Sequence, residues 1–135
     1  MRLIWGLGHL LERTSKRMKA SKGLTGPQRL VIRLVGRFPG IPPGRLAELM
    51  LVHPSTLSGV LRRLERKKLL ERRRDPNDAR RSLLGLTAAG RALDSPSPFT
   101  VEAAVERVLA GSHPSHVESA KAILSRVVQT LGEVD

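Results

Sequence analysis

Between residues 54 and 81 the chain carries side chains suited to holding a polyanion and to reaching into a narrow space. Pro54 is followed by the small polar run Ser55-Thr56-Leu57-Ser58, then by Arg62 and Arg63. Arg73, Arg74, Arg80 and Arg81 stand close behind. A helix bearing hydroxyls as short as those of Ser55, Thr56 and Ser58 can approach a groove floor, and the planar forks of Arg62 and Arg63 match guanine edges and phosphates. This chemistry is recognition of double-stranded DNA. The bland alternatives are a surface helix with solvated arginines and, for Asp78 and Arg80, a pair across a turn that shapes the loop.

Bond-making chemistry finds little support. His113 and His116 form an HxxH with Glu118 as the one acid at ligand spacing, too few donors for a zinc site. His53 reads as a helix cap or a phosphate contact. Without cysteine there is no thiol nucleophile, disulfide or thiolate-held metal. Phosphate-loop, nucleophile-elbow and zincin spacings do not occur. The reading is a non-enzyme with no catalytic residue, no metal and no cofactor.

The recognition side chains need a frame. Leu57, Val60, Leu61 and Leu64 repeat at i, i+3, i+4 and i+7, burying one stripe of a helix and leaving Ser55, Ser58, Gly59, Arg62, Arg63 and Arg66 on or near the outer side. Pro54 suits its first turn. Leu46, Leu49 and Met50 form the inward set of a shorter preceding helix, and Val52 plugs the turn between the two. Leu70–Arg74 and Ser82–Leu86 are strand-length runs around the turn-forming Asp75-Pro76-Asn77-Asp78. The expected module is a helix-turn-helix followed by a β-hairpin wing, whose exposed tip can reach phosphates or a narrow minor groove.

Upstream, Leu3, Leu7, Leu10, Leu11 and Met18 recur at roughly helical spacing over residues 3–20, with Arg13, Lys16, Arg17 and Lys19 towards the distal end. Trp5 reads as packing. Thr25-Gly26-Pro27-Gln28 reads as a capping box for a helix from about Pro27 to Phe38, with Leu30, Val31, Leu34, Val35 and Phe38 as its buried face. Downstream, Thr87 caps a helix starting at Ala88, and Ser95-Pro96-Ser97-Pro98 interrupts it. Thr100 caps a next helix, with Val101, Val105, Val108 and Leu109 on one side, and Gly111 ends it. Pro114 starts the last, whose stripe of Val117, Ala120, Leu124, Val127, Val128 and Leu131 is close to a coiled-coil seam. Leu3, Leu7, Leu10 and Leu11, together with Val117, Leu124, Val127, Val128 and Leu131, are the expected symmetric interface of a homodimer.

Charge supports a nucleic-acid partner. The chain of 135 residues carries a formal charge of +12 with a pI near 11.6, a bias that solubility does not require. Residues 1–40 hold nine Lys/Arg against one acid, residues 41–90 eleven against five, and residues 91–135 four against six. The positive field thus follows the proposed binding module and the helices before it. No apolar run approaches a membrane span, and the N-terminal LIWGLGHLL lacks a convincing cleavage site; a cytoplasmic, nucleoid-associated protein with no membrane partner is expected.

The runs LTGPQRLVIRLVGRFPGI at 24–41, LAELM at 46–50, STLSGVLRRLERKKLLERRRDPNDAR at 55–80 and LTAAG at 86–90 resemble the MarR family of bacterial transcriptional regulators, the DPNDAR wing followed by LTAAG being the most specific part. The resemblance implies a mainly α fold with a small β-hairpin wing. Residues 24–87 would be the winged helix-turn-helix, and 1–23 with 88–135 the dimerisation helices of a single domain. It also implies a homodimer on a pseudopalindromic operator, often released by a small-molecule effector, in a cleft between the helix bundle and the wing domain. Ser55, Thr56, Ser58 and Arg62 fall at the family's recognition-helix positions, and Asp78 and Arg80 at its wing positions. Ala79 stands where many relatives carry arginine, and Leu51 where glycine is frequent in the helix-turn-helix turn. The alternative function is an architectural DNA-binding protein of little sequence specificity.

Overall fold

The computed structural model describes residues 1–133. Its elements run α1 (Arg2–Lys22), α2 (Gly26–Arg37), α3 (Pro43–Met50), α4 (Pro54–Arg66), β1 (Leu70–Arg74), β2 (Ser82–Leu86), α5 (Ala88–Leu93), α6 (Val101–Ala110) and α7 (Pro114–Gly132). The fold is mainly helical with a two-stranded antiparallel wing. Two compact units divide between Ser97 and Pro98, where the Ser-Pro repeat breaks the helix after Leu93 as its sequence predicts.

In the first unit, Leu24, Val31, Ile32, Val35, Leu46, Leu57, Leu61, Leu64, Leu84 and Leu86 form a single core. Leu57, Leu61 and Leu64 dock α4, each fully buried leucine contributing roughly 1.5–3 kcal/mol by removal from water. The capping box at Thr25 and Gln28 forms in both directions. Gly23 adopts the left-handed conformation, φ 68°, that ends α1.

Four expected packing positions differ. In α2, Leu30 and Phe38 are exposed, whereas Gln28, Arg29, Val31, Ile32 and Val35 are buried. The buried face is turned towards Arg29, which reaches inward to backbone carbonyls. In α3, the small Ala47 packs beside Leu46, and Leu49 is left 42% exposed. Trp5, read as packing, is 75% exposed.

The wing pairs Leu70 with Leu86, Arg72 with Leu84 and Arg74 with Ser82. Side chains alternate across a strand, so Leu70, Leu84 and Leu86 face the core while Glu71, Arg73 and Leu83 point to the other side. The Gly40 N–H donates to the Leu84 carbonyl at 2.9 Å, and the Leu84 N–H to the Ile41 carbonyl at 3.1 Å, so the loop after α2 supports the base of the hairpin. Gly90 fits under this base: a Cβ there would stand 2.0 Å from the Leu69 carbonyl oxygen.

In the second unit, Thr100 accepts a hydrogen bond from the Ala103 N–H and caps α6, which ends at Gly111 with φ −99°, without a left-handed cap. His113 caps α7, with Pro114 in its first turn. Val105, Val108, Leu109, Leu124, Val128 and Leu131 are exposed and Val117 and Val127 half-buried. Leu3, Leu7, Leu10 and Leu11 of α1 are likewise exposed, and Met18 alone of that stripe is buried. Among the described residues no helix is long and apolar enough to cross a membrane. Val134 and Asp135, the end of the 88–135 segment, lie outside the described residues.

Candidate nucleic-acid interface

The helix-turn-helix closes through Leu51, whose φ of 53° places a leucine in the left-handed region at the end of α3. Its side chain stays exposed, Val52 packs against the core, and His53 opens α4. The Ser55 N–H donates to His53 Nδ1 at 3.3 Å, and Ser55 Oγ lies 2.7 Å from the same nitrogen. With Nδ1 accepting both, the ring's remaining proton sits on Nε2 at the exposed start of the helix. His53 is therefore the cap, and the Ser55 hydroxyl keeps its lone pairs as acceptors.

Pro54, Ser55, Thr56, Ser58, Arg62 and Arg63 are all exposed. A Cβ at Gly59 would meet nothing within 4 Å, so this face can approach another surface closely. Arg62, Arg63 and Arg66 make no ion pair among the described residues, leaving three guanidinium groups on the outer face of one helix. The sequence-derived outer face is thus brought together on α4 as its spacing requires.

On the wing the arginines divide. The Arg72 guanidinium pairs with Glu65 of α4, and that of Arg73 with Glu71 on the opposite face of the strand. Arg74, Arg80 and Arg81 are exposed and carry no ion pair among the described residues. The Asp78 carboxylate accepts from the Arg80 backbone N–H at 3.0 Å, and that of Asp75 from the Asn77 N–H at 2.9 Å. With Asp75 N–H to Arg81 O and Arg81 N–H to Asp78 O, these bonds fix the tip. The alternative of a side-chain pair between Asp78 and Arg80 does not form: the carboxylate accepts from the Arg80 backbone N–H, and the guanidinium carries no ion pair among the described residues.

Sequence reasoning passed over a second group. Arg29, 2% exposed, donates to the Leu93 carbonyl at 2.9 Å and the Ser95 carbonyl at 3.1 Å. One turn on, Arg33 pairs with the Asp94 carboxylate at 2.7 Å. Two arginines of α2 thus hold the end of α5, favoured by the partial negative charge of a helix C-terminus. Their i, i+4 spacing is visible in the sequence; partners more than sixty residues away are not. Arg33, Leu34, Gly36, Arg37 and Asp94 line an open depression of about 390 Å³. No cluster of three metal-ligating side chains occurs among the described residues.

The MarR family model matches residues 22–81. An HTH-type transcriptional repressor of Mycobacterium tuberculosis is 32% identical over 108 residues, 80% of this chain and 78% of that protein. The fold is similar to MepR of S. aureus in its DNA complex, with a TM-score of 0.76 and 23% identity over 96% of each chain. It is also similar to the PcaV transcriptional regulator of Streptomyces coelicolor with its natural ligand, with a TM-score of 0.70 and 28% identity over 95% of this chain and 88% of that one. Matched in sequence across most of a curated repressor and in fold across nearly its whole length, the chain belongs to the MarR family of non-enzymatic, DNA-binding winged helix-turn-helix transcriptional regulators.

Proposed function

We propose that the protein is a homodimeric repressor that reads a pseudopalindromic operator, with Ser55, Thr56, Ser58 and Arg62 entering the major groove at Pro54 and beyond. Arg63 and the unpaired wing residues Arg74, Arg80 and Arg81 hold backbone or minor groove, Arg73 being engaged by Glu71, and Asp78 shapes the tip. The observation that carries this reading is the pairing of a small-residue helix start with unpaired arginines further along the same exposed face of α4. A binder acting by charge alone needs no close approach to base edges.

Residues 24–87 form the reading module, and 1–23 with 88–135 supply the dimer. Support comes from the exposed apolar side chains of α1 and α7, since faces of this kind mark association surfaces. A symmetric dimer sets its two α4 helices about 34–36 Å apart, one turn of DNA. The site of action is the cytoplasmic nucleoid. A small effector belongs to the proposal because PcaV is seen with its natural ligand. Trp5, Phe38 and Phe99 are all exposed, so an aliphatic or anionic compound fits better than one that stacks.

The test is selection of bound sequences from a random duplex pool at about 150 mM salt, where unspecific contacts are partly screened. An enriched inverted repeat is expected. Tight binding with no enrichment would make the protein an architectural DNA binder instead.

A further inference from the structure

Beside the apolar packing of Leu70, Leu84 and Leu86 against the core, one ion pair among the described residues links the strands of the wing to the recognition helix. At the base of the wing, β2 is tied to the α2–α3 loop by Gly40 and Ile41, and the Thr87 hydroxyl donates to the Lys68 carbonyl at 2.7 Å. Arg72 lies opposite Leu84 on the core-facing side of the ladder and reaches Glu65 in the last turn of α4. The Arg72 side chain is 39% exposed and that of Glu65, half-buried, 29%. Outward of Arg72 and Leu84, every hydrogen bond and ion pair among the described residues is internal to the hairpin. The unsupported part carries Arg74, Arg80 and Arg81.

From this we infer that Glu65 and Arg72 are positioning residues for DNA reading: their ion pair sets the angle between α4 and the wing, and so the offset between the base-reading residues and the wing arginines. The inference rests on the operator-reading function proposed above. Neither residue needs to touch DNA. The Arg72 Nε–H donates to the Glu65 carboxylate, and a charge-assisted hydrogen bond prefers a near-linear geometry, so it constrains direction as well as distance.

Charge and geometry predict opposite signs for one substitution. Glu65→Gln removes a negative charge beside a DNA-binding surface, so electrostatics alone would tighten binding to every duplex, operator included. If the pair positions the wing, random duplex is bound as well as before or better while the operator is bound more weakly. The ratio of operator to random affinity then falls about tenfold, the scale of one mismatched base pair.

The experiment measures that ratio for the full-length wild type, Glu65→Gln, Arg72→Gln and the exchange Glu65→Arg with Arg72→Glu, using the selected operator and a random duplex of equal length at one salt concentration. Circular dichroism melts establish that each variant is folded. The expected result is a reduced ratio in both single variants and recovery of at least half of the loss in the exchange, which restores the pair at unchanged net charge. A ratio unchanged in Glu65→Gln, or an operator affinity that rises in step with random duplex, would overturn the proposal and leave the operator-reading function standing. A wild-type ratio of one would overturn both.

Discussion

Gly90 lies directly against the carbonyl of Leu69: a Cβ at position 90 would stand 2.0 Å from that oxygen and 3.4 Å from Leu86 Cβ. The first turn of α5 can pack beneath the wing because residue 90 has no side chain. Gly90→Ala must displace backbone on one side, so it is expected to cost about 1–3 kcal/mol as an overpacked site does. A thermal melt would show the loss as a lowered Tm; an unchanged Tm would mean that α5 does not pack as described.

Arg29 and Arg33 should behave differently although they hold the same end of α5. Arg29→Met leaves the Leu93 and Ser95 carbonyls without their donor at a nearly fully buried position, and about 2–4 kcal/mol of stability should be lost. Arg33 is about one-third exposed, so breaking its pair with Asp94 in Arg33→Met should cost under about 1 kcal/mol. Urea unfolding of both variants checks the order, and equal losses would contradict it.

The sequence made the reading module legible because local rules suffice there. The stripe of Leu57, Leu61 and Leu64, the capping box at Thr25 and Gln28, and the strands around Asp75–Asp78 each depend on neighbours a few residues away. What could not be read depends on distant partners. Arg29 turns the buried face of α2 only because Leu93 and Ser95 lie above it. Strand alternation puts Arg72 and Arg73 on opposite faces of the wing, but that Arg72 meets Glu65 depends on how α4 packs beside the hairpin.

The wing arginines should act through phosphate. Arg80→Ala and Arg81→Ala are each expected to weaken binding to all sequences and to reduce the salt slope of the affinity by about 0.9 for each phosphate left unneutralised. Titrations at several salt concentrations measure this, and a slope equal to wild type in both variants would assign the tip a purely structural role.

Dimerisation should be needed for tight binding. Leu7→Glu or Leu124→Glu places a charge on the exposed apolar side of α1 or α7. Sedimentation should then report monomer, and affinity for an inverted repeat should fall about 100-fold or more because the two half-sites are no longer linked. A dimer that persists in both variants would move the interface elsewhere.

The division of labour between α4 and the wing is tested most directly by a base-by-base affinity scan of the selected operator with wild type and Arg62→Ala. The expected result is a loss of about 1–3 kcal/mol confined to one base pair in each half-site, with preference relaxed there and kept elsewhere. Uniform weakening at every position would contradict base reading by Arg62, because that residue would then be holding backbone while the bases were read by others.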